Sequence, residues 1–161
     1  MRIGVISDTH GLFDPSITRH FAGVEQILHA GDIGPGDVLV RLERIAPVIA
    51  GSGNVDGFDA SGIPMEQTVD LAGHRIAIYH RLYEGGRLTR EGMAMLARVR
   101  PSLCVYGHTH QPKAEWRDGV LLFNPGSAGP KRFHLPRAVG LLLFQNGSIE
   151  TQHIMLGDRA E

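Results

Sequence analysis

Apolar residues come in short bursts along the first third of the chain, and each burst stops at a turn of small residues. Ile3 to Ile6 ends in Ser7-Asp8-Thr9-His10-Gly11. Gln26 to Ala30 ends in Gly31-Asp32, and Pro47 to Ala50 ends in Gly51-Ser52-Gly53-Asn54. Bursts of this length, bounded by glycine, read as buried strands. Between them, Asp14-Pro15-Ser16 opens a helix expected to run through Phe21. Val38, Leu42 and Ile45 mark a second helix from Asp37 to Ile45 by their spacing. The alternation predicts parallel or mixed pairing, with helices on the sheet faces.

The pattern then changes. Thr68 to Leu71 and Arg75 to Tyr79 flank Ala72-Gly73-His74 and predict a hairpin. Leu88 to Arg100 predicts a third helix, capped by Thr89 and stopped by Pro101. Leu103 to Tyr106 is another buried strand and ends in Gly107-His108-Thr109-His110. From Lys113 onward the chain is strand-rich, with hairpin turns at Arg117-Asp118-Gly119 and Gln145-Asn146-Gly147. The expectation is one α/β domain over residues 1–161, with two sheets packed between helix layers and a frayed tail from Gly157 to Glu161.

Composition narrows the picture. At 161 residues, 42% hydrophobic and 20% charged, the chain reads as a soluble globular protein. A formal net charge of −1 supplies no global basic field, which weighs against a nuclease or other nucleic-acid partner. The single cysteine, Cys104, permits no intrachain disulfide and reads as a buried hydrophobe. No apolar run is long enough to span a membrane, and Met1 to Ser7 reads as a strand rather than a signal peptide. A cytoplasmic protein with no membrane partner is expected.

The nine histidines change the picture most. Five strand ends carry metal-capable side chains: Asp8 and His10, Asp32, Asn54, His80, and His108 with His110. All donors are N or O, which suits Mn, Fe, Zn, Co or Ni. A tetrahedral cation needs only three or four protein ligands. Seven donors suit two divalent cations sharing a carboxylate. In an extended Asp-x-His, side chains two apart share a face, so Asp8 and His10 could reach one cation. His108 and His110 could leave a turn together toward different cations.

These blocks, D-x-H, G-D, G-N, H and G-H-x-H in that order, resemble those of the calcineurin-like metallophosphoesterase superfamily. The chain is most similar to its small single-domain bacterial and archaeal phosphodiesterases. Asn124-Pro125-Gly126-Ser127, followed by Pro130-Lys131-Arg132, is similar to their late motif. The resemblance implies a four-layer αββα sandwich of two mixed sheets. It implies one cation on Asp8, His10, Asp32 and His110, and a second on Asp32, Asn54, His80 and His108. Asp32 would bridge them together with a hydroxide that attacks phosphorus, leaving Asp32, His10 and Asn54 nearest the chemistry. Manganese is the expected metal and a small phosphate ester the expected substrate; a homodimer is possible. The alternatives are a phosphomonoesterase, or a non-catalytic scaffold such as the retromer subunit that resembles this family.

Two positions depart from the family pattern. Many relatives carry a proton-donating histidine where this chain has Val55. Relatives also show glycine after the fourth-block histidine, where Tyr79-His80-Arg81-Leu82-Tyr83-Glu84-Gly85-Gly86 has Arg81, expected near the phosphate or in solvent. His29 reads as a partner of Asp32 or as a core histidine. His20, His74 and His153 read as surface or structural, His134 as a loop residue, and Trp116 as core or interface. Lys131 and Arg132 read as solvated charge, and Asp56 as orienting a ligand or capping a turn.

Overall fold

The computed structural model describes residues 1–56 and 62–158, so the outermost tail lies outside the described residues. The first third forms β1 (Arg2–Ile6), α1 (Ser16–His20), β2 (Gln26–His29), α2 (Val38–Glu43) and β3 (Val48–Ala50). Then follow β4 (Glu66–Leu71), β5 (His74–Tyr79), β6 (Tyr83–Glu84), β7 (Arg87–Leu88), α3 (Arg90–Val99) and β8 (Leu103–Val105). The remainder is β9 (Lys113–Arg117), β10 (Val120–Asn124), β11 (Ala138–Gln145) and β12 (Ser148–Met155).

Two five-stranded mixed sheets result, in the orders β12-β11-β1-β2-β3 and β4-β5-β8-β10-β9. Strands β1, β2 and β3 run parallel, as do β5, β8 and β10. The hairpins at Ala72-Gly73, Asp118-Gly119 and Asn146-Gly147 turn through positive φ at both central residues, as tight hairpins require.

Strand alternation sorts the core into layers. Ile3, Val5 and Leu28 face Ile76, Ile78, Leu103, Val105, Leu121 and Phe123 between the sheets. Ile6 and Ile27 turn the other way, against Ile17 and Phe21 of the α1 region and Val38 and Leu42 of α2. Ala77, Cys104 and Leu122 turn outward from the second sheet, against Met95 of α3. The expected sandwich of two sheets between helix layers is therefore present, and Cys104 is buried as expected.

The helices are shorter than the periodicity predicts. Asp14 spends its carboxylate on a local turn, with Oδ1 accepting from the Ser16 amide and hydroxyl, so α1 begins only at Ser16. Helix α2 stops at Glu43, two residues short of Ile45, with Arg44 as its cap. Thr89 caps α3 as expected, accepting from the Gly92 amide at 3.0 Å. Trp116 does not enter the core: it is 63% exposed on the edge strand β9. His153, read as structural, stacks on Phe123 with ring centroids 4.8 Å apart and bonds the Asn124 carbonyl.

Candidate metal centre

The five motifs follow β1, β2, β3, β5 and β8, at the carboxyl ends of strands that run parallel within each sheet. Sites in open α/β sheets form at such ends. The extended geometry expected for Asp8-Thr9-His10 is not what brings its side chains together. Asp8 (φ 54°), His10 (φ 47°), Asp32 (φ 52°), His108 (φ 69°) and His110 (φ 58°) all sit in the left-handed region. Non-glycine residues rarely adopt it, at a cost of about 1–3 kcal/mol each, and such residues cluster at functional sites. Backbone reversal, not strand alternation, aims these groups inward.

Among the described residues, two groups could hold a cation: Asp8, His10 and His110, and Asp8, Asp32 and His80. His110 Nε2 lies 3.1 Å from Asp8 Oδ1, and His80 Nε2 lies 3.3 Å from Asp32 Oδ2 and 3.7 Å from Asp8 Oδ1. Asp32 Oδ2 is also 3.9 Å from His10 Nε2, so this carboxylate stands between His10 and His80. The His80 and His108 rings are 5.5 Å apart, with Asn54 Nδ2 3.4 Å from His108 Nδ1. Asn54 is exposed at the mouth of the site.

Asp8 Oδ1, His10 Nε2 and His80 Nε2 are buried without a hydrogen bond, despite the short approach of His110 to Asp8. Buried polar atoms left unpaired are costly. Divalent cations bound by N and O donors would satisfy these atoms, so the residues present fit such ions.

The remaining valences are committed elsewhere. Asp8 Oδ2 accepts from Ser7 Oγ (2.7 Å) and the His108 amide (3.2 Å). Asp32 Oδ1 accepts from the Val55 amide at 3.1 Å. Burial pushes the Asp32 carboxyl up, but His80 and the Val55 amide outweigh it and bring it down to about 2. Asp8 is likewise held below its ordinary value against burial, chiefly by His110 and His80. Burial and the charge of Arg132 lower His10.

The motif glycines admit close approach. A Cβ at Gly53 would lie 2.1 Å from Asp32 Oδ1, and one at Gly107 would lie 2.1 Å from Ser7 Oγ and 2.6 Å from Asp8 Oδ2. His29 is buried beneath the site. Its Nδ1 accepts from the Gly31 amide (3.1 Å), so Nε2 carries the proton and donates to Thr9 Oγ1 (3.0 Å), which in turn donates to the Ile33 carbonyl. Asp56 receives the Gly34 and Gly53 amides, tying the loops after β2 and β3 together.

Four contributors had no role assigned from the sequence. Asn124 Nδ2 donates to the Gly107 carbonyl and to Thr9's counterpart in the last motif, Thr109 Oγ1, while Ser127 Oγ donates to the Asp8 carbonyl. The late motif thus braces the first and last metal loops. Arg137 is 2% exposed and pairs with Asp14 at 2.9 Å, a buried ion pair that no local pattern announces. Glu84 Oε2 lies 2.6 Å from His108 Nε2. Lys131 and Arg132 are exposed as expected, and so is His134 in the same loop.

Comparison with known proteins agrees with this geometry. Residues 1–147 match the model of the calcineurin-like phosphoesterase superfamily domain. A probable metallophosphoesterase of Methanothermobacter thermautotrophicus is 31% identical over 98% of this chain and 94% of its own length. A phosphodiesterase of Escherichia coli K12, YfcE, is 29% identical over 88% of this chain and 87% of its own. Among solved structures, an archaeal phosphodiesterase superposes with a TM-score of 0.73 at 25% identity, covering 97% of this chain and 100% of its own. Vps29 of Entamoeba histolytica does so with 0.76 at 18% identity, covering 98% and 100%, a likeness of fold alone. Family model and relatives together show that this chain belongs to the calcineurin-like phosphoesterase superfamily.

Proposed function

We propose that this protein is a two-cation phosphodiesterase. Asp8, His10, Asp32 and His110 would hold one cation, and Asp32, Asn54, His80 and His108 the other. When bound, the cations acidify water and neutralise charge on the phosphoryl oxygens, which permits direct displacement at phosphorus. Manganese suits the N and O donors.

The chain's own residues supply the positioning. Asp32 Oδ2 lies between His10 and His80 and would be the carboxylate shared by both cations, with Asp8, common to both cation-capable groups, beside it. Asn54 and His108 stand at the open side of the centre, where substrate oxygens would arrive. Beside them lies a cavity of about 290 Å³ lined by Ser52, Gly53, Asn54, Tyr79, His80 and Arg81 among others, able to take an ester substituent. Its one arginine, Arg81, is paired with Glu84. A diester, with one negative charge fewer than an ionised monoester, suits such a cavity better.

The observation that carries this reading is the convergence of three buried, unpaired ligand atoms on Asp8, His10 and His80. The phosphodiesterase relatives support the choice of ester class. The scaffold reading rests on a likeness to Vps29 at 18% identity, which is one of fold alone.

The test uses protein stripped of metal by chelation and assayed on an aryl phosphodiester and the matching monoester. Hydrolysis should vanish on stripping and return with Mn, with the diester preferred. Undiminished turnover in fully demetallated protein would overturn the proposal.

A further inference from the structure

The segment after His80, where Arg81 replaces the usual glycine, folds into the small hairpin of β6 and β7, turning at Gly85 and Gly86, both at positive φ. Tyr83 anchors it: the ring is 7% exposed, packs against Tyr106 with centroids 5.3 Å apart, and its hydroxyl donates to Glu115. Adjacent strand residues point to opposite sides. With Tyr83 turned into the core, Glu84 is turned toward the rim of the metal centre.

There Glu84 Oε2 makes two contacts. It accepts from Arg81 Nε at 3.3 Å and Nη2 at 3.1 Å, and it lies 2.6 Å from His108 Nε2. A carboxylate oxygen approaches a ring nitrogen this closely only with a proton between them. His108 Nε2 therefore carries hydrogen. The other ring nitrogen, Nδ1, faces Asn54 Nδ2 at 3.4 Å. An amide nitrogen only donates, so Nδ1 turns a lone pair toward Asn54.

We infer that Glu84 is a positioning residue of the metal centre. It holds the Nε2–H of His108, so Nδ1 keeps the ring's lone pair, which faces the Asn54 amide in the metal-free protein and would turn to the second cation when that is bound. The inference rests on the two-cation reading for its consequence, but the contact itself does not. Arg81 acts one step further out by holding Glu84. A carboxylate on the outer nitrogen of a ligand histidine fixes the tautomer and ring orientation and raises ligand basicity.

Two readouts test this on the full chain with Glu84→Ala, Glu84→Gln and Arg81→Ala. The first is the pair of ring nitrogen shifts of His108 in metal-free protein above neutral pH. Wild type should show Nε2 protonated and Nδ1 bare, and Glu84→Ala a mixture of tautomers. The second is calorimetric titration with Mn. Glu84→Ala should weaken one binding event by about 10–100-fold and leave the other unchanged. Glu84→Gln, which keeps a neutral acceptor, should fall in between, as should Arg81→Ala. Unchanged His108 shifts in Glu84→Ala would overturn the inference, and so would equal weakening of both events, which marks general damage. If wild type takes up a single cation, the two-cation reading fails, while the ring shifts of the metal-free protein still decide the role of Glu84.

Discussion

His80 Nδ1 donates to the carbonyl of Ala30 at 2.7 Å, across fifty residues of sequence. That bond fixes the ring from the end of β2 and leaves Nε2 facing Asp32 and Asp8. The orientation of the ring is therefore set from the end of β2. Burial pushes the His80 ring down, but Asp32 and Asp8 outweigh it and raise it above its ordinary value. Proton and cation therefore compete for His80 Nε2, and the raised value widens the pH range over which the proton does so. A raised value means protonation over a wider range, so affinity should weaken as pH falls through it. Calorimetry in buffers of different ionisation heat should show proton release on Mn uptake near neutrality, reduced in His80→Asn. Uptake without proton release in wild type would contradict the arrangement.

Asp32→Asn should cost more activity than loss of any peripheral donor such as Asn54. The carboxylate supplies charge between His10 and His80 that an amide lacks. A loss of roughly 100-fold or more in kcat/KM is expected, on the scale of removing one group that stabilises developing charge. The check is kinetics at saturating Mn, with bound metal counted directly. Wild-type kinetics at full occupancy would remove Asp32 from its central position.

Gly53→Ala isolates the close approach behind the third motif. The added Cβ would lie 2.1 Å from Asp32 Oδ1 and 2.4 Å from the Asp32 amide nitrogen, a clash with a buried carboxylate and with backbone. Overpacking of this kind costs typically about 1–3 kcal/mol, and here it falls on the ligand itself. Denaturant unfolding should show that loss, and Mn affinity should drop with it.

The fold and the donors were legible for different reasons. Apolar bursts such as Ile3–Ile6 and Leu103–Tyr106 mark strands because burial on both faces demands it, and Asp118-Gly119 and Asn146-Gly147 mark turns because few residues tolerate positive φ. The donors were visible because each sits where a burst ends. Their left-handed backbone was not, since nothing in Asp-x-His distinguishes a turn from an extended segment. Glu84 went unnoticed because its partner, His108, lies 24 positions away across the β6–β7 hairpin, although Gly85-Gly86 was a turn signal in plain view. Arg137 and Asp14 are 123 residues apart, and no local periodicity encodes such a pairing.

His29 should make metal-free protein sensitive to mild acid. Burial lowers its ring to about 4, against the attraction of Asp8 and Asp56. Between about 4 and the ordinary value of 6.5, the unfolded chain binds a proton that the native state does not, so stability rises with pH across that window. The span corresponds to roughly 3 kcal/mol. His10, also lowered, acts in the same direction, and raised His80 acts oppositely above 6.5. Urea unfolding between pH 4.5 and 6.5, in chelator, should show a steeper rise for wild type than for His29→Gln. Parallel curves would mean that His29 titrates alike in both states.

The leaving group sets the final expectation. The family resemblance implies a proton-donating histidine at the position that Val55 occupies. Its amide touches Asp32 Oδ1, so residue 55 stands beside the centre, while its side chain is 56% exposed. Valine cannot protonate a departing alkoxide, and missing acid catalysis costs about 10²–10⁴-fold where the leaving group is basic. Aryl esters need little protonation, because their leaving groups are already stable anions. His10 is a poor substitute acid, since burial and Arg132 keep it neutral to lower pH than usual. Wild-type protein should therefore prefer aryl phosphodiesters to alkyl monoesters, and its rate should fall steeply as leaving-group pKa rises. Val55→His should flatten that dependence and raise relative monoester activity, with little effect on stability, because the side chain faces solvent. A series of esters with graded leaving groups, assayed on both proteins at saturating Mn, decides the matter. A flat dependence in wild type would show that another acid, with exposed His134 the first to replace, already protonates the leaving group.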